Sequence, residues 1–106
     1  MARYLIMASY TAEGAKGLLK DGGTKRRQAA EQAIKSAGGK LEAFYFAFGE
    51  NDAYVIVDAP DHTTVAASSV AINATGAVRT KTVVLLTPEE MDQALKRAVT
   101  YRAPGQ

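Results

Sequence analysis

Strand, helix, strand, strand, helix, strand is the order in which the hydrophobic patterns follow one another along this chain. That order predicts an α+β, ferredoxin-like split βαβ domain with one further helix appended. Three observations carry it. Short apolar runs of strand length alternate with longer Ala-rich stretches of helical spacing. The quartet Gly49-Glu50-Asn51-Asp52 joins two strand-like runs as a hairpin. At 106 residues the chain has room for one core only. Right-handed crossovers then give a four-stranded antiparallel sheet of order 4-1-3-2, with the helices on one face.

Tyr4-Leu5-Ile6-Met7-Ala8-Ser9 is apolar and continuous, as suits a central strand. Thr11 is placed to cap a helix through Lys20, although Gly14 and Gly17 each cost it about 1 kcal/mol relative to alanine. Asp21-Gly22-Gly23 interrupts, Thr24 recaps, and Ala29, Ala30, Ala33, Ile34 and Ala37 form one small apolar face until Gly38-Gly39. Lys40 to Phe48 alternates as a strand, with Phe44, Phe46 and Phe48 on one side and Leu41, Ala43, Tyr45 and Ala47 on the other. Ala53 to Val57 is its hairpin partner. Pro60-Asp61 opens a helix with Val65, Ala66, Ser69, Ile72 and Asn73 at helical spacing, ending near Gly76. Val78 to Leu86 is the fourth strand. Thr87-Pro88-Glu89-Glu90 is a capping box with proline in the first turn, starting a helix to about Val99. Residues 1–99 read as the single domain and 100–106 as a C-terminal tail.

Composition narrows the chemistry. With 47% hydrophobic and 23% charged residues the chain is globular rather than disordered. It has no cysteine, which removes disulfides, thiolate metal sites and a cysteine nucleophile. A net charge of +2 gives no electrostatic footprint for nucleic acid. No apolar run reaches the length of a membrane span or a signal peptide, so the expectation is a cytoplasmic protein without a membrane partner.

Several segments together resemble the GYD-domain family of the dimeric α/β-barrel superfamily. They are Tyr4-Leu5-Ile6 leading to Tyr10-Thr11-Ala12-Glu13-Gly14, Gly38-Gly39-Lys40-Leu41, Phe46-Ala47-Phe48-Gly49-Glu50-Asn51-Asp52, and Gly76-Ala77-Val78-Arg79-Thr80-Lys81-Thr82. The Gly-x-Tyr-Asp element that names the family is met by Gly49 and Asp52, with Asn51 where the tyrosine usually stands. The resemblance implies the ferredoxin-like fold and a sheet-to-sheet homodimer, in a family largely without assigned activity. Relatives elsewhere in the superfamily include cofactor-free monooxygenases, haem-degrading enzymes and lactone isomerases, among which fold alone does not choose.

The dimer has a separate motive in the residues. One sheet face is left bare by this topology, and its aromatic and aliphatic side chains form a patch too large for a soluble monomer. A second copy of the chain, or a higher even number, covers it most simply.

Candidate site residues each have a plainer reading beside the functional one. Tyr10 and Thr11, with Gly14, stand at the carboxyl end of the first strand, where a hydroxyl and backbone N–H groups can meet a ligand or simply cap a helix. Asp52 and Glu50 lie in a turn that needs Gly, Asn and Asp for backbone reasons, and Asp52 can instead anchor a neighbouring backbone or an arginine. His62 is the only histidine and the candidate general base, yet a single imidazole without Cys or a second His makes no dedicated metal site. Lys25-Arg26-Arg27 opposes the dipole at a helix start, which suggests an anion or merely a solvated basic stretch beside Glu31. Arg79 is a counter-charge if it faces the sheet–helix layer and an edge guard if it does not. Tyr10, Asn73, Arg79 and Tyr54 would line a pocket under the alanines.

Two functional readings follow. The first is a small-molecule binder or cofactor-independent enzyme acting on a planar anionic substrate, with ligand residues Tyr10, Thr11, Arg79, Asn73 and Asp52 and with His62 catalytic; it needs no cofactor and no metal. The second is a non-catalytic oligomeric module in which the same residues serve turns and caps.

Overall fold

The computed structural model describes residues 1–106. Its elements are β1 (Ala2–Tyr10), α1 (Ala12–Asp21), α2 (Gly23–Ser36), β2 (Lys40–Phe46), β3 (Ala53–Ala59), α3 (His62–Ala74), β4 (Val78–Leu85) and α4 (Pro88–Leu95). The strands make one antiparallel sheet ordered β2-β3-β1-β4, which is the expected order read from the opposite edge. No helix is long and apolar enough to cross a membrane.

Alternation along the two inner strands divides the sheet into two faces. Tyr4, Ile6 and Ala8 of β1 lie opposite Val57, Val55 and Ala53 of β3, and all six are buried under the helices. Ile34 of α2, Leu41 of β2 and Val65 of α3 close the core over them. The intervening residues Leu5, Met7, Tyr54 and Ile56 form the other face, joined by Tyr45 of β2 and Val83 of β4. No element covers that face: Tyr45 is 71% exposed and Val83 43%.

In β2 the structure departs from simple alternation. A bulge at Glu42 separates Leu41, paired with Val57, from Ala43, paired with Ile56. The extra residue moves Leu41 to the face that also carries Phe44 and Phe46, so the expected partition of this strand is corrected by one position. Phe48 lies past the end of the strand and is fully exposed. The open face therefore owes its apolar character to Leu5, Met7, Tyr45, Tyr54, Ile56 and Val83 rather than to the phenylalanines.

Helix ends follow local chemistry. Thr11 caps α1 by accepting from Gly14 N–H at 3.3 Å. Thr24 does not cap α2: that helix begins at Gly23 with no side-chain cap, because Gly22 turns the chain at a φ of +82°. It ends in a Schellman turn, with Gly39 N–H donating to Ile34 C=O at 2.9 Å and Gly38 N–H to Lys35 C=O at 3.0 Å. Gly38 at φ +100° makes this possible. α4 has the expected capping box but stops at Leu95, before Val99.

At the top of the sheet, β1 and β4 are tied by one carbonyl. Ala77 C=O accepts from Thr11 N–H at 3.0 Å and from the Thr11 hydroxyl at 3.3 Å. Gly14 packs directly over it, and a Cβ there would sit 2.0 Å from that oxygen. Gly17, three residues on along the same helix, has open space around it. Gly14→Ala is therefore expected to destabilise by about 1–3 kcal/mol through overpacking, whereas Gly17→Ala should stabilise by roughly 0.5–1 kcal/mol through helix propensity. Denaturant midpoints of the two variants check this, and a shift of the same sign in both would exclude the close approach.

On the open face Arg3 of β1 grips Asp58 of β3, with Nε donating to Oδ1 at 2.9 Å and Nη2 to Oδ2 at 3.4 Å. The hydrogen bond from Arg3 is the main cause that holds the Asp58 carboxyl below its ordinary 3.8. A carboxyl with a lower value folded than unfolded contributes stability above the unfolded value, which is lost as pH falls through the folded one. The acid limb of a stability–pH curve should accordingly be shallower below 3.8 in Asp58→Asn than in the parent. Equal limbs would mean that the pair contributes nothing.

Candidate functional site

Alanine at the centre of the sheet, facing alanine on the helix above, leaves space. Ala8 and Ala53 lie opposite one another in the sheet, and Ala29, Ala30 and Ala33 of α2 overhang them. The result is a cavity of about 310 Å³ between the sheet, α2 and α3, walled at its apolar end by Ile34, Phe44 and Val55. Of its 16 lining residues 13 are hydrophobic, and the exceptions are Arg26, Thr75 and Thr80. This is the size and character of a small-molecule site.

The two threonines are already engaged. Thr75 donates to Ile72 C=O at 2.8 Å and accepts from Ala77 N–H at 3.2 Å. Thr80 Oγ1 accepts from Asn73 Nδ2 at 2.8 Å and shares a 3.1 Å hydrogen bond with Ser69. Arg26 forms no ion pair, the fold's two being Arg3 with Asp58 and Lys40 with Glu42. The Tyr10 side chain also lines the cavity, while its backbone N–H donates to Asp52 Oδ2 at 2.8 Å. A cation and a phenol are thus the polar groups left to meet a guest.

The sequence-predicted residues separate into three places. Tyr10 reaches the cavity. Thr11, Asn73 and Asp52 surround its upper end but are committed to the fold. Thr11 donates to Gly76 C=O at 2.9 Å while capping α1. Asn73 accepts from Thr80 N–H at 3.1 Å and donates to Ser69 C=O at 2.7 Å, so its amide pairs with the outer edge of β4 and pins α3 to it. Asp52, besides holding Tyr10, returns its own N–H to Ala8 C=O at 2.8 Å, closing the hairpin onto β1.

Arg79 lies elsewhere. It pairs in register with Ser9, on the face opposite the cavity, and is exposed. Strand alternation at Val78 decides this: Val78 points inward beside Tyr10, so its neighbour points out. The counter-charge at the cavity is Arg26 of α2, whose side chain the basic cluster Lys25-Arg26-Arg27 brings to the mouth through helical rotation. Its signal in the sequence was a cation in a helix's first turn, where the dipole disfavours one. Tyr54 likewise faces away from the cavity, its hydroxyl accepting from Asn51 Nδ2 at 3.3 Å. Asn51 is buried and also accepts from Ser9 Oγ at 3.3 Å, so its amide locks the turn to β1 and β3.

His62 is remote from these groups. It stands in the first turn of α3 behind Asp61, whose carboxylate caps the helix by accepting from Thr64 N–H at 2.8 Å. That bond, first among its causes, holds the Asp61 carboxyl below the ordinary value. His62 Nδ1 shares a 2.7 Å hydrogen bond with the hydroxyl of Tyr4, which is 2% exposed. Tyr4 precedes Tyr10 by six residues of one strand, roughly 20 Å at strand spacing. His62 satisfies a buried phenol there and cannot serve as base for a guest beside Tyr10. No cluster of three or more metal-ligating side chains occurs anywhere in the fold.

The sheet order, the two helices laid on one face and the hairpin tied to β1 define the class as an α+β ferredoxin-like domain. Residues 4–95 match the GYD domain, and the chain belongs to that family, within the dimeric α/β-barrel superfamily. No curated protein matches it closely enough to lend an activity.

The Tyr4–His62 pair generates a prediction of its own. His62→Ala leaves a buried hydroxyl short of a partner and should cost about 1–3 kcal/mol, most of which Tyr4→Phe in the same chain recovers. A double-mutant cycle from urea denaturation measures the coupling, and additive losses would show that the bond is worth nothing.

Proposed function

We propose that the protein binds a small, mostly apolar, anionic molecule in the cavity of each protomer and works as a homodimer through its open sheet faces. The observation that carries the binding reading is the 310 Å³ apolar cavity with an unpaired Arg26 and the Tyr10 phenol on its wall. An arginine without a carboxylate beside an apolar void favours an acid group with a flat or branched hydrocarbon body. Binding is favoured over turnover at this place, since the lining holds neither carboxylate nor imidazole to move a proton. The dimer reading rests on the uncovered patch of Leu5, Met7, Tyr45, Tyr54, Ile56 and Val83. A plain assembly module is supported by a different observation: Thr11, Asn73 and Asp52 all serve the fold.

Native mass spectrometry of gently purified protein separates the two, with an even oligomer carrying stoichiometric extra mass expected for the binder and bare chains for the module. A defined probe sharpens the test. 8-Anilinonaphthalene-1-sulfonate, an aromatic anion, should bind the parent and bind Arg26→Ala about tenfold or more weakly, the value of a charge-assisted hydrogen bond. Ala33→Leu should raise the melting temperature by filling the void and abolish binding. Unchanged binding in both variants would place the probe elsewhere and overturn the cavity reading.

A further inference from the structure

We infer that α4 is an exchange arm whose apolar side packs into the groove between α3 and β4 of a second copy of the chain. The inference rests on the second copy proposed above, and not on the cavity.

α4 is specified in its chemistry and unsupported in its packing. Thr87 and Glu90 form a reciprocal capping box, with Thr87 N–H donating to Glu90 Oε1 at 2.9 Å and Glu90 N–H to Thr87 Oγ1 at 3.1 Å. Pro88 occupies the first turn, and Glu89 and Glu90 suit its dipole. Yet every residue from Leu86 to Gln106 is exposed, including Leu95 at 75%. Eight residues of helix do not persist in water without a packed face. Met91 and Leu95, one turn apart, are the face in want of cover.

The chain's own body does not supply it. Only Leu86 and Thr87 separate β4 from α4, and the capping box with Pro88 sets the direction of departure. The arm runs outward, and the molecule is 56 Å long against 22 Å in its thinnest dimension.

A matching surface exists on the same chain. From His62 to Ala74, α3 contains no Lys, Arg, Asp or Glu, and it exposes Ala66, Ala67, Val70 and Ala71. A helix without charge on its outer side asks to be covered. Beside it lies an open groove of about 390 Å³ floored by Tyr4, Val65 and Val84 and flanked by Ala66, Ser69 and Val70. The small residues allow a second helix to approach closely, with Met91 and Leu95 as the large side chains between them. No acid on the body of α3 opposes Glu89, Glu90 and Asp92.

Groove and arm both belong to the β4 edge, since Val84 of the groove lies just before the arm departs. A two-fold axis near that edge covers both surfaces of both chains at once, as an isologous contact does.

The chain has no cysteine, so disulfide trapping is clean. Val70→Cys and Leu95→Cys proteins, prepared separately, mixed and oxidised, should give a covalent dimer containing one chain of each. Leu19→Cys, on the exposed side of α1, mixed with Val70→Cys is the control and should give none. In a chain carrying both Val70→Cys and Leu95→Cys, a monomer-sized disulfide would show the arm folding back on its own groove and overturn the exchange. Sedimentation of the same samples keeps the readings apart. A dimer that fails to cross-link sinks the exchange and leaves the second copy standing, whereas a monomer sinks both.

Discussion

The fold is organised by the alternation of side chains along β1, which pairs with β3 from Ala2 to Ala8 and with β4 from Arg3 to Tyr10. Tyr4, Ile6, Ala8 and Tyr10 point toward the helices and decrease in bulk to Ala8 before rising again. Because β3 and β4 are registered against β1, Ala53 and Thr80 fall on either side of Ala8. The sheet is therefore low at its middle. The alanines of α2 do not descend to fill it, since Ile34 and Phe44 already hold the helix at its height over the lower core. Close packing at Tyr4 and vacancy at Ala8 are two consequences of one register.

Polar groups near this vacancy divide according to whether the backbone needs them. The upper end of the sheet is where β1 passes into α1, the hairpin returns and α3 gives way to β4, so unpaired N–H and C=O groups concentrate there. Asp52, Thr11 and Asn73 answer them. Residues typical of binding sites are the same residues that close turns, and three such groups within one corner were used for closure. What remains uncommitted is Arg26, on a helix whose N-terminus has no cap and whose dipole makes a cation unwelcome. An anionic guest relieves that local conflict, which ties the proposed ligand chemistry to the structure of α2 as well as to the shape of the void.

The remaining apolar surfaces have a common logic. The open sheet face, the chargeless outer side of α3 and the stripe on α4 are each too apolar for water, and none finds its cover within the chain. Together they border β4, an edge strand whose backbone is only partly blunted by Asn73. The proposed association of like chains and the proposed exchange of α4 answer the same physical requirement.

The order of elements, the hairpin, the capping box at Thr87 and the glycine stop after α2 were legible in the sequence because each is decided within a few residues. So was the family, from short segments spread over most of the chain. The partition of β2 was not, because the bulge at Glu42 answers to the register of β3 and leaves no mark in its own segment. Nor was the site: Tyr10 could be placed by its position at a strand end, but Arg79 was turned away from the cavity by its pairing with Ser9, and Arg26 was turned toward it by the rotation of α2. His62 was chosen on its titration range alone, while its partner Tyr4 stands 58 residues away in the chain. The caps at Thr11, Asp61 and Thr87 and the periodicity of β1, β3 and the helices are written in neighbouring residues, and the sequence by itself determined them, whereas Thr24 does not cap α2. Which side chains share a cavity depends on register and helix rotation across distant segments, and only the tertiary structure decided that.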